Sequence, residues 1–160
     1  SPLLPLLVVL ALSGCAAPEE RAVSRADATA TATAHPLSGT AWRLVEIQSM
    51  DDAVGSTHVA DPSLYTMRLG ADGSVALRLN CNSATGTWSG EAGRSDPSSG
   101  RFEFGPLAAT TALCPPPTLD EQVTRQAPYV RSYLLDKGRL YMSLMADGGI
   151  FVWEPAESGR

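Results

Sequence analysis

Three cysteines carry most of the reactive chemistry open to this chain: Cys15, Cys81 and Cys114. A thiol can be acylated, oxidised to a disulfide, bound to a soft metal or used as a nucleophilic thiolate, and its neighbours decide which. Cys81 lies between Asn80 and Asn82, and Cys114 precedes Pro115, Pro116 and Pro117. Both sit in turn-like segments where two loops could meet. With Cys15 used elsewhere, Cys81 and Cys114 are an even pair, and an oxidising compartment would join them. Closing a loop of about 33 residues stabilises a domain by roughly 3–4 kcal/mol in the chain-entropy model. Two alternatives stay open. The thiols can pack separately as small apolar groups, or Cys114 can be a reactive thiol, which requires a partner that lowers its pKa.

The remaining polar residues give that thiol little help. His35 falls in an Ala/Thr-rich stretch and His58 in a polar loop, so a surface histidine is the better reading of His58 than a Cys–His pair. A zinc site built from Cys81, Cys114 and His58 would lack close ligand spacing and a fourth ligand. Asp51 and Asp52 are adjacent in a polar loop, which suits solvated carboxylates better than an acid–base dyad. The phosphate loop Gly-x-x-x-x-Gly-Lys and the nucleophile elbow Gly-x-Ser-x-Gly are both absent, and the single lysine, Lys137, stands at a turn. No catalytic residue, cofactor or metal is therefore expected, and the chain reads as a non-enzyme.

Cys15 belongs to a different setting. It ends Leu12-Ser13-Gly14-Cys15, directly after the apolar run of residues 3–12, LLPLLVVLAL. About ten apolar residues suit the core of a signal peptide and fall short of the roughly 20 needed for a membrane-spanning helix. Small residues before a cysteine form a bacterial lipobox, in which the sulfur takes diacylglycerol and the chain is cut ahead of it. The new amino terminus is then acylated; one chain anchors marginally, two or three stably. Ordinary secretory cleavage nearby is the plainer alternative. No basic residue precedes the apolar run, so residues 1–14 read as a signal peptide missing its start. Ala16 rather than Asp follows the cysteine, as in lipoproteins sorted to the outer membrane. Residues 15–36 then form a lipidated cysteine and a flexible tether, since ATATATA buries too little surface to offset its ordering entropy. The net charge of −5 disfavours nucleic acid and adhesion to anionic lipid.

Residues 37–154 suffice for one core. Strand alternation runs through residues 42–48, 64–69, 75–79, 85–89 and 101–104, with Asp72-Gly73 making a hairpin. Residues 49–63 and 91–100 read as loops. Thr118-Leu119-Asp120-Glu121 fits a capping box that starts a helix reaching about Gln126, which Pro128 kinks or ends. Residues 129–135 are ambiguous between a helical turn and a strand. Two further strands, residues 139–145 and 150–153, follow tight turns and complete a β-meander. Short connections make the sheet antiparallel. The expected fold is α+β, mostly β: a partly open barrel-like antiparallel sheet with one helix, followed by a disordered tail over residues 155–160. Trp42, Trp88 and Trp153 are expected in the core. Residues 104–114 are expected to cross the open barrel end with Leu107 and Leu113 turned inward, rather than to offer a partner-binding surface.

A series of pieces in order carries a family resemblance: Gly39-Thr40-Ala41-Trp42-Arg43-Leu44, Leu69-Gly70-Ala71-Asp72-Gly73, Asn80-Cys81-Asn82, Gly86-Thr87-Trp88, the run from Phe104 to Cys114-Pro115, Val130-Arg131-Ser132-Tyr133, and the hairpin through Ala146-Asp147-Gly148-Gly149. The chain resembles the META domain family, which includes heat-inducible bacterial envelope lipoproteins. Asn80 departs from the glycine often found before the family's Cys-Asn pair, and Pro128 interrupts a segment that is usually better helix. The resemblance implies a role in stress response or antibiotic tolerance and assigns no catalytic residues. The expected protein is thus lipid-anchored at Cys15, periplasm-facing on the outer membrane and monomeric. It would act through contacts with an envelope protein partner. A carrier of apolar ligands, similar in fold to pilot lipoproteins of the outer membrane, is one alternative; a thiol-dependent enzyme is the other.

Overall fold

The computed structural model describes residues 34–156. The apolar run, Cys15, most of the expected tether and nearly all of the expected tail lie outside the described residues. Ten strands and one α-helix follow in the order β1 (Thr40–Gln48), β2 (Ser56–His58), β3 (Tyr65–Leu69), β4 (Ser74–Leu79), β5 (Asn82–Ala92), β6 (Ser99–Phe104), β7 (Ala108–Ala109), α1 (Asp120–Gln126), β8 (Val130–Asp136), β9 (Arg139–Leu144) and β10 (Ile150–Pro155). Each strand forms where large apolar side chains alternate with small or charged ones. β4 is typical: Val75, Leu77 and Leu79 are buried while Ser74, Ala76 and Arg78 face water. The hairpin before it turns at Gly73, whose φ of 81° suits glycine, and Asp72 accepts hydrogen bonds from the Ser74 amide (3.0 Å) and hydroxyl (2.6 Å).

Eight strands form an antiparallel ring in the order β10-β9-β8-β6-β5-β4-β3-β1, with β2 added beside β1 and β7 beside β5. The ring is closed rather than partly open. β1 pairs with β10 from Trp42↔Pro155 to Gln48↔Ile150, across a register shift between Leu44 and Glu46. No local alternation could announce a pairing between the first and last strands, yet it removes two exposed edges at once. An eight-stranded ring is just wide enough to be filled by side chains. Here Phe102, Phe151, Trp153, Met67, Met142 and Leu44 fill it, all essentially inaccessible, and the other two tryptophans are buried with them.

Several elements exceed their sequence outline. β5 runs over eleven residues rather than five, because Asn82 and Ala84 continue its inward face. The polar stretch of residues 49–63 holds β2 and the start of a 3-10 turn, Pro62–Leu64. The ambiguous segment resolves into a 3-10 turn, Ala127–Tyr129, in which Pro128 ends the helix, followed by β8.

One end of the barrel is closed by the segment leading into β1. Leu37 is fully buried, and the His35 ring lies edge-on to Trp88 at 5.2 Å and to Tyr133 at 5.3 Å. His35, expected within the tether, is therefore packed on the barrel. A lone histidine among alanines and threonines carries no period to reveal this. The space exists because residue 90 is glycine: a Cβ there would lie 2.9 Å from the His35 Nε2. That nitrogen is buried without a partner, and burial pushes the imidazole pKa below its usual value. The unfolded chain then takes up more protons, so stability is full above about pH 6.5 and falls as the pH drops through the folded value. Thermal melts between pH 7 and 5 should show a falling midpoint that is flattened in His35→Phe; equal slopes in both proteins would contradict this placement.

Candidate functional site: a clamped strap at the far barrel end

Toward the opposite end, residues 105–119 form a strap that runs antiparallel to β5 as far as Thr110 and then leads over to the helix, and the chemistry-bearing residues gather beneath it. β4 and β5 are joined by a tight turn in which Asn80 has φ 61°. Asparagine is among the few residues other than glycine that enter this left-handed region readily, which accounts for Asn80 at a position often glycine in the family it resembles. The turn presents Cys81 toward the strap. Cys81 and Cys114 are joined by a disulfide with their Cα atoms 5.5 Å apart. The strap can lie close because residue 86 is glycine: a Cβ there would come 2.4 Å from the Pro106 carbonyl oxygen.

Asn82, on the inward face of β5, is the hub. Its Oδ1 accepts from the Ala112 amide (2.8 Å) and the Thr110 hydroxyl (2.9 Å). Its Nδ2 donates to the Ala112 carbonyl (2.8 Å) and to Asp120 Oδ2 (2.8 Å). One side-chain amide thus holds both backbone groups of one strap residue and reaches the helix. Asp120 is buried, and its other oxygen accepts from the Thr118 hydroxyl. That bond first, with Asn82 and neighbouring amides behind it, holds the Asp120 carboxyl below the usual carboxylate range against the upward push of burial. Thr118 also accepts from Asn80 Nδ2 at 3.2 Å, and the Leu119 amide donates to the Tyr65 hydroxyl at 3.0 Å.

The expected capping box does not form. Thr118 is drawn to Asp120 instead of an amide of the first turn, Leu119 takes the N-cap position without a side-chain bond, and Glu121 pairs with Arg125 at 3.1 Å. The strap departs from expectation too. Leu107 packs against the core as expected, but Leu113 is 96% exposed. Asn82 grips the Ala112 peptide and the disulfide fixes Cys114, so the residue between them is left facing water.

The sequence pattern of the META domain family matches residues 35–157. The chain belongs to the META domain family. Its fold is similar to that of a protein from Burkholderia xenovorans solved by NMR, with a TM-score of 0.60, 16% identity, and coverage of 76% of this chain and 85% of that one. It is also similar to a DUF4847 family protein from Bacteroides vulgatus ATCC 8482, with a TM-score of 0.50, 12% identity, and coverage of 78% and 97%. At these identities the likeness is one of fold. Comparison with curated proteins finds no match.

The other candidates in this META domain lie apart from the hub. His58 ends β2 in an exposed position, beside a groove of about 450 Å³ that it shares with the three prolines. Among the described residues, no group of three or more His, Cys, Asp or Glu side chains could hold a metal ion. Asp51 and Asp52 are exposed, and Asp51 Oδ1 accepts from the Ala53 amide at 2.9 Å. The sulfurs of Cys81 and Cys114 are spent on each other, which leaves neither as a thiolate for attack or ligation. Sequence reasoning missed Asn82, Thr110, Tyr65 and Asp120 as one network. The available signal was a pair of asparagines flanking a cysteine, residues suited to turns and to amide-to-peptide bonds.

Proposed function

We propose that this META domain is a non-catalytic envelope protein, anchored by lipid on Cys15 at the outer membrane and facing the periplasm. It works through contacts with an envelope protein partner in envelope maintenance or in stress and antibiotic tolerance. The Cys81–Cys114 bond carries this reading. A disulfide suits an oxidising compartment, and pairing two of three cysteines singles out Cys15 at the end of its apolar run. The polar network supports the non-catalytic part: its donors and acceptors are turned on one another, leaving no poised nucleophile with a base beside it. A carrier of apolar ligands would need an empty interior, whereas the ring is filled by Phe102, Phe151, Trp153 and the methionines.

Intact mass measurement of the protein extracted from membranes tests the anchor. The expected species begins at Cys15 and carries the mass of a diacylglycerol plus an amino-terminal acyl chain, and Cys15→Ser abolishes it. A mature chain with no added mass would refute the anchor. Crosslinking in intact cells, followed by partner identification, tests the contact role.

A further inference from the structure

The outer face of the barrel carries an arrangement that the clamp, the fold and the proposed anchor leave unused. In β1, β3 and β4 the residues pointing away from the core include Arg43, Thr66, Arg68 and Arg78. Thr66 pairs across the sheet with Arg43 on one side and with Arg78 on the other, and Arg68 stands two residues further along its own strand. The register therefore sets three arginines at neighbouring positions around one threonine on the same face. Side chains at such directly opposed and i+2 positions lie within reach of one another.

Their charges are only partly answered. Arg43 pairs with Glu154 at 3.5 Å, but Glu154 is shared with Arg139 at 2.8 Å, and the Arg43 Nε is buried without an acceptor. Among the described residues neither Arg68 nor Arg78 forms an ion pair. Asp61, whose carboxyl feels Arg78, is already engaged by the Ser63 amide (3.0 Å) and hydroxyl (2.6 Å). β3, β4 and the half of β5 beside them, residues 82–90, carry no carboxylate. Next to the cluster lies an open groove of about 970 Å³, lined by Arg68, Thr66, Ser74 and Thr85 over the small side chains of Ala41 and Ala76. In a chain of net charge −5, a patch of unanswered arginines edged with hydroxyls is a local reversal of the field.

We propose that Arg68, Arg78 and Arg43 around Thr66 form a binding site for a phosphate group. Arginine suits this task because its planar fork stays charged and meets a tetrahedral oxyanion through two parallel N–H donors. The threonine hydroxyl supplies a further donor from the centre. The groove beyond Arg68 has room for whatever carries the phosphate, with hydroxyls along its wall.

The test is a pair of titrations of the full chain at low salt, one with inorganic phosphate and one with vesicles of phosphatidylglycerol against vesicles of phosphatidylcholine. Amide resonances of residues 66, 68, 76 and 78 should shift on phosphate addition. Arg68→Gln with Arg78→Gln should weaken binding at least about tenfold, while the charge-matched Arg94→Gln, on a distant loop, should change it less than about twofold. Arg68→Lys with Arg78→Lys, which keeps charge but loses the fork, should fall between them. Binding of soluble phosphate would define a free oxyanion site. Binding confined to phosphatidylglycerol vesicles, and lost in the double glutamine variant, would define a headgroup site. No binding in either arm overturns the proposal, as does binding that the double variant leaves intact or that Arg94→Gln weakens equally. Melting curves of each variant must match the parent before its affinity is compared.

Discussion

Replacing Cys81 and Cys114 together by serine is expected to lower the thermal midpoint by on the order of 10 °C. The bond spans 33 residues of sequence. In the chain-entropy model a loop of that length is worth about 3.7 kcal/mol, and for a domain of this size each kcal/mol moves the midpoint by about 3–5 °C. The bond also pins the strap that covers the core at the far barrel end, so its loss should show first in residues 105–119. Amide exchange should rise at Ala112 and Leu113 before it rises in β8 or β9. A shift below about 3 °C, or an exchange pattern spread evenly over the barrel, would show that the hydrogen-bond hub holds the strap unaided. Reduction of the unmutated protein should reproduce the serine variant, with Cys15 irrelevant to either result.

The second large effect is expected at Asn82. Asn82→Ala removes one amide and abandons the Ala112 amide and carbonyl and an oxygen of the buried Asp120. Stranding buried partners costs about 1–3 kcal/mol for a neutral group and more for a charged one, so a total of roughly 3 kcal/mol is expected from urea denaturation. Asp120→Asn should cost less, because Asn at this position can still accept from Thr118. The pH dependence has a defined sign. The folded Asp120 pKa lies below its unfolded value, chiefly through Thr118. Its stabilisation is therefore present above about pH 4 and is lost as the pH falls through the folded value. Asn82→Ala should shrink that acid-side loss, and an unchanged acid limb would remove Asn82 from the account. Because the hub and the disulfide grip adjacent strap residues, Asn82→Ala and the double serine variant should be non-additive.

Much of the barrel was legible because alternation is local. Val75, Leu77 and Leu79 announce β4, and Asp72-Gly73 announces its turn, without reference to anything distant. The cysteine pair was legible for a different reason: with Cys15 set apart at the end of its apolar run, an even pair remained in turn-like segments, and few fates suit two such thiols. What escaped was decided between segments far apart in sequence. The β1–β10 closure joins strands whose patterns say only that each is half buried. His35 is packed because Gly90 leaves room, a fact written 55 positions away. Leu113 looks like a core residue by type, yet its neighbours Ala112 and Cys114 are both held from below, and it is turned out. At the capping box, the Thr118 hydroxyl donates to Asp120 two residues on, a carboxylate that Asn82 of β5 holds in place from 38 positions away, and the bond to a first-turn amide does not form.

The pairing of Trp42 with Pro155 and of Gln48 with Ile150 also sets a clock. A strand made first must wait for the strand made last, so the ring cannot be completed while the chain is still emerging from a ribosome. Until then β1 and β9 each present a bare row of amides and carbonyls to their surroundings. Distant partners of this kind make folding slow, since the entropy of closing the longest loop is spent before its contacts form. A chain cut short anywhere before residue 150 never passes that point. It keeps two open seams, which are the features by which strand-rich proteins join one another indiscriminately and by which quality-control proteases and chaperones come upon them.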